Sequence, residues 1–308
     1  MKRALAIATA ALWAAPAAAH VAQVAHDEPG WTLTPWVLVP LGLSLLLYGL
    51  GALRLARRGR PGRQALNRRS ALFGAGWLSL AAAAISPLHE AGGQSFTLHM
   101  VEHELLMLVA APLLVLSRPF GPMLWALPIS ARRSVGGLAR RGWVKGPWRA
   151  LTEPVAATLL QAAALWIWHM PGLFDLALSV EGWHVAQHLS FLVSALLFWS
   201  AMLHRRRAGV GLAAVCLFVS SLVAGALGAL MAFSQGPWYA GYAALGLAPF
   251  GLTPAEDQQL AGLLMWIPGG MVHAVAALAL VYGALGVRRA ASRPDARATA
   301  RMAPATTS

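Results

Sequence analysis

His99 and His103, in the run HMVEH, and His184 and His188, in the run WHVAQH, each stand four residues apart. An α-helix turns once per 3.6 residues and rises about 1.5 Å per residue, so side chains at i and i+4 share one face, roughly 6 Å apart. Each pair can therefore grip one metal ion. Both runs lie in segments apolar enough to cross a membrane. Ionisable groups there are costly, face the bundle interior and mark functional sites. Neutral imidazole suits copper, zinc, iron and nickel, while thioether sulfur favours Cu(I). Met100 adjoins His99 and Met170 adjoins His169, so copper, as Cu(I), is the preferred ion; methionine is also a routine core filler, and zinc and iron stay open.

The elements that must hold these side chains follow from composition. With 58% apolar and 11% charged residues over 308 positions and a mean hydropathy of +0.59, the chain is far from an ordinary soluble domain, in which about a quarter of residues are charged. It reads as an all-α, polytopic transmembrane bundle. Lys2 and Arg3, the apolar run 4–15 and the small residues 17–19 read as a cleavable signal peptide, 1–19. An outer arm, 20–35, follows. Seven stretches then approach the ~20 residues that a ~30 Å hydrocarbon core demands: about 36–54, 70–88, 97–117, 152–170, 183–203, 211–234 and 260–286, within a membrane domain 36–287. The basic remainder, 288–308, is rich in Ala, Arg, Pro and Thr and is expected to be disordered.

All 24 Lys and Arg fall at the start of the chain or in alternate connections: 54–69, 118–149, 205–207 and the tail. The positive-inside rule makes those cytoplasmic, with the mature N-terminus outside and the C-terminus inside. A multi-pass protein of a bacterial plasma membrane is expected. The net charge of +13 then reports topology and attraction to anionic lipid, and gives no warrant for nucleic-acid binding.

This topology puts His99, His103, His184, His188 and His169 near one level just below the outer boundary, and they are the expected metal ligands. Accessory candidates are Met100, Glu102, Met170, Asp257, Met265 and His273. Glu102 could ligate, orient an imidazole or carry a proton. Asp257 could instead cap the helix of the seventh span, and His273, like His89 and His204, could merely bond a carbonyl or sit at the headgroups. Glu104 is expected to face a different helix. Pro268-Gly269-Gly270 should loosen the seventh span, and Ser221, Gly225, Gly228 and Ala232 form a close-packing face on the sixth. Cys216, the lone cysteine, cannot form an internal disulfide and reads as a structural thiol. His20, exposed by signal cleavage, and His26 could form a copper-acquiring arm or a plain tether.

The run of motifs resembles the CtaG family of cytochrome c oxidase assembly factors, the caa3-oxidase type of seven-span membrane proteins. The likeness covers most of 95–285: HMVEHELLMLVAAPLLVL, LWIWHMPGLFDLAL, HVAQHLSFLVSALLFW, GALMAFSQGPWYAGY and EDQQLAGLLMWIPGG, in this order. The resemblance implies a role in maturing aa3-type or caa3-type oxidase at the copper stage, with oxidase subunits as partners, a periplasmic copper donor as a further one, and no turnover of its own. Three other readings stay open from the residues. His99-Met100-Val101-Glu102-His103 spells the H-x-x-E-H of some metalloproteases, but five residues match easily by chance and leave the second pair unexplained. Facing imidazoles could clamp a haem. A copper permease would need a polar path onward, for which Cys216 and His273 are the main inner groups.

Overall fold

A computed structural model describes residues 30–59, 62–204 and 209–291, with side chains to 285. The signal peptide, His20, His26 and the tail beyond 291 lie outside the described residues. All regular structure among the described residues is helical. In chain order the helices are α1 Pro35–Ala56, α2 Arg63–Ile85, α3 Pro87–Gly92, α4 Phe96–Ser117, α5 Phe120–Ala126, α6 Ile129–Arg140, α7 Gly142–Leu151, α8 Pro154–Trp168, α9 Pro171–Ser179, α10 Glu181–Leu203, α11 Val210–Ala232, α12 Ala240–Leu245 and α13 Pro254–Ala291.

Five of these, α1, α4, α10, α11 and α13, are long and apolar enough to cross a membrane, and α7 with α8 makes a sixth if the pair, bent by 69°, counts as one span. The chain is a membrane protein. Two expected spans are shorter. The arginine-bearing start of α2 leaves only 70–85 uncharged, about 24 Å at 1.5 Å per residue, and the 15 residues of α8 reach about 22 Å; both fall short of a ~30 Å core. The basic connection 118–149, expected on the cytoplasmic side, contains α5, α6 and most of α7, of which α6 and α7 bury nothing.

The most enclosed long helix is α4, with 61% of its apolar window buried. It packs against α2, α10 and α13 and so forms the axis on which the histidines are displayed. Its middle, Leu105–Ala110, widens into a π-helix. Pro112 has no N–H to offer the carbonyl four residues back, and the Met107 carbonyl accepts the indole N–H of Trp199 at 2.9 Å. On the far side, α11 and α13 touch backbone to backbone. A Cβ at Gly262 would stand 2.4 Å from the Gly228 carbonyl oxygen, and one at Gly228 would stand 2.6 Å from that of Gly262. The expected small-residue face is thus the α11–α13 seam. Pro268, where loosening is expected, lies inside α13, whose helix continues on both sides of it.

Candidate metal centre

The centre lies where the end of α2, all of α3 and the starts of α4, α10 and α13 meet. Ser95 opens α4, its Oγ accepting the Leu98 N–H at 3.3 Å. The Asp257 carboxylate accepts from Ser95 Oγ at 2.8 Å, from the Phe96 N–H at 2.6 Å and from the Thr97 N–H at 3.2 Å, while Thr97 Oγ1 donates to the Asp257 carbonyl at 2.8 Å. Orphan N–H groups at a helix start favour such an acceptor. Asp257 therefore caps α4, correcting the expectation that it caps its own helix. That task falls to Thr253 and Glu256: Thr253 Oγ1 accepts the Glu256 N–H and Glu256 Oε2 accepts the Thr253 N–H, a reciprocal capping box. Asp257 is thus a positioning residue, outside the donor sets.

One turn into α4, His99 Nε2 lies 3.0 Å from His103 Nε2; on α10, His184 Nε2 lies 3.1 Å from His188 Nε2. The two pairs face each other, with ring centroids 5.4 Å apart for His99 and His184 and 5.0 Å for His103 and His188. Glu102, fully buried, joins them: its Oε1 is 2.7 Å from His89 Nδ1 and 3.2 Å from His188 Nδ1. Ligand atoms converge within 4.8 Å of one another in two sets, His89, Glu102, His184 and His188, and His99, His103 and His188. His188 belongs to both.

Hydrogen bonding fixes which nitrogen is free in His99, His89 and His169. The Tyr242 hydroxyl donates to the Gly92 carbonyl at 2.6 Å, so its oxygen accepts from His99 Nδ1 at 2.9 Å. That leaves the lone pair of His99 on Nε2, facing inward. Glu102 does the same for His89, and the Leu165 carbonyl, 2.6 Å away, does it for His169. Metal-binding histidines are held in this way, the outer nitrogen bonded and the inner one free. His103 Nδ1 and Glu102 Oε2 are buried with no partner among the described residues. Two ligands each ~2.0–2.1 Å from an ion at a tetrahedral angle stand about 3.3 Å apart. The observed 3.0 and 3.1 Å therefore fit an ion after small ring movements.

His169 sits at the edge of this cluster, 6.3 Å from His103 between ring centroids, and in neither donor set. Its free Nε2 instead faces the Met100 sulfur at 3.5 Å. Neither atom carries a proton to offer the other, a pairing of imidazole and thioether that suits Cu(I). Both residues are buried, whereas Met170 is 59% exposed and turned away. Met265 and Cys216 are buried in the apolar core. His273 donates from Nδ1 to the Gly269 carbonyl at 2.8 Å and stacks on Trp199 with centroids 5.8 Å apart, outside both sets. Glu104 faces α13, its carboxylate 3.1 Å from where a Cβ on Gly269 would stand.

His89 is the member of a donor set that sequence reasoning left out. Ser86 and Pro87 end α2 and start α3, with Ser86 Oγ accepting the Leu88 N–H at 3.2 Å, and this turn points His89 at Glu102. Burial opposes a charge on His89, but the hydrogen bond and charge of Glu102, helped by Glu90, hold its proton more firmly than usual. The available signal was the Ser-Pro turn at the level of the other histidines.

The model of the cytochrome c oxidase caa3 assembly factor family (Caa3_CtaG) matches residues 46–286. No curated protein and no solved structure matches the chain.

Proposed function

Because the chain belongs to the cytochrome c oxidase caa3 assembly factor family, with the oxidase as its partner, we propose that it takes up copper at the histidine cluster and hands it to an oxidase subunit, acting as a carrier rather than an enzyme. The observation that carries this reading is the convergence of two i,i+4 histidine pairs, with Nε2 separations of 3.0 and 3.1 Å, in which the far nitrogen of His99 is already bonded to Tyr242. Copper is favoured over harder ions by the Met100 sulfur facing His169. Several donors with no fixed set of four suit an ion that must leave again, unlike a closed structural site.

The donor sets also suggest a direction of travel. His89 and His188 keep 22% and 14% of their side-chain surface, while His99 and His103 are each 1% exposed. An ion would meet His89 and His184 first, with Glu102 buried behind them, and pass through His188, common to both sets, to the buried pair. On this reading α2 and α8 complete seven crossings of a bacterial plasma membrane, with local thinning at modest cost, and the arginine-bearing ends face the cytoplasm. The histidine end then faces outward, where a periplasmic donor could load it.

The test replaces the wild type with a His103→Ala/His188→Ala variant. Loss of oxidase copper and activity, with loss of copper bound by the purified protein, is expected. Normal oxidase copper and activity would overturn the proposal.

A further inference from the structure

A second feature lies at the opposite, arginine-bearing end. A cavity of about 890 Å³ opens between the α1, α2, α4 and α5 group and helices α7 and α10. Its walls are mainly apolar, including Phe73 and Trp77 of α2, Leu114 of α4 and Leu196 of α10. Along α10 it extends from Leu192 to His204, about 18 Å at 1.5 Å per residue. One leaflet of a ~30 Å hydrocarbon core is about as deep. Volumes of roughly 300–1,000 Å³ are those of specific ligand sites.

The charge at its mouth has one sign. Arg118, Arg149 and His204 line the cavity, and among the described residues no carboxylate does. Arg54 and Arg132 are already bonded to carbonyls of α5 and the turn after it, and Arg132 and Arg58 lie over the Trp125 ring. By contrast, no hydrogen bond or ion pair holds the side chain of Arg118 or Arg149 among the described residues. Burial, and then the charge of Arg118, disfavour a proton on His204. The backbone of Arg118 is left-handed, φ 52° and ψ 59°, where a side chain other than glycine's is strained and persists only when its surroundings impose it.

We infer that this cavity binds an anionic phospholipid of the adjoining leaflet, its acyl chain along α10 and its phosphate between Arg118 and Arg149. Basic pockets between membrane helices recognise such headgroups, and the unpaired cations give the mouth the complementary charge. The apolar length beneath them matches a chain rather than a free anion.

The test uses the full-length protein in detergent, with phosphatidylglycerol, phosphatidylcholine and inorganic phosphate as probes, read by lipid retention in native mass spectrometry and by melting temperature. One phosphatidylglycerol is expected to stay bound and raise the melting temperature where phosphatidylcholine and phosphate do not. R118Q, which keeps the same backbone strain, should weaken retention about fivefold, the factor matching ~1 kcal/mol per surface cation, and R149Q about as much again. Val193→Trp fills the apolar part from an exposed position and should release the lipid with both arginines intact. Equal retention of the two lipids, equal protection by phosphate, or retention undiminished by R149Q or V193W would overturn the inference.

Discussion

Tyr242→Phe is the sharpest probe of the metal centre, because it removes one oxygen and leaves the ligands in place. That oxygen donates to Gly92 and accepts from His99 Nδ1, and Tyr242 is only 6% exposed, so water cannot readily replace it. Two buried groups, the Gly92 carbonyl and the His99 N–H, lose their partner. At about 1 kcal/mol for each net hydrogen bond, more where a group is left unsatisfied, the fold should lose roughly 2–4 kcal/mol. The functional effect is separable. Once Nδ1 is unheld, His99 can carry its proton on Nε2, where the ion must bind, and lost outer partners of metal histidines typically cost 10–100-fold in affinity. The assay is competition for Cu(I) with a chromophoric chelator, with the melting temperature recorded alongside. A folded variant whose copper affinity equals that of the wild type would refute the argument that Tyr242 sets the tautomer of His99.

Three further outcomes are expected. His89→Ala should slow copper uptake in stopped-flow loading by more than it lowers final affinity, whereas His103→Ala should do the reverse; equal effects on both measures would remove the direction of travel. Asp257→Ala strips three acceptor bonds from the start of α4 and should cost at least the ~1–2 kcal/mol of a lost cap, seen as a lower melting temperature and weaker copper binding; an unchanged melt would contradict the assigned cap. Gly262→Ala forces α13 away from α11 and should destabilise by about 1–3 kcal/mol, as overpacked cores do, with copper stoichiometry unaltered in whatever protein folds; a wild-type melt would mean the seam yields without strain.

How far the sequence discloses this arrangement depends on the reach of each signal. The pairs His99/His103 and His184/His188 are legible because helical geometry alone places i and i+4 on one face, and the small residues of α11 because their spacing is equally local. The role of Glu102 is only half legible: its place near the histidines follows from the helix, but its bond to His89 depends on how Ser86 and Pro87 turn the chain. Asp257 misleads for the same reason, since a carboxylate at a helix start looks like its own cap until a helix that begins 161 residues earlier arrives beside it. The π-helix in α4 and the shortness of α2 and α8 escape a hydropathy count, which measures apolar length and is blind to backbone register and to arginines at a helix end.

The tether between Asp257 and the start of α4 also orders events during synthesis. The helices bearing all the histidine pairs leave the ribosome well before Tyr242 and Asp257 do, and contacts so distant in sequence form late. A nascent chain would therefore hold its imidazoles near one another without the groups that aim them. On the proposed function, competence to capture an ion would arrive only once Tyr242 and the final helix are in place, and prematurely terminated chains would be poor scavengers of copper.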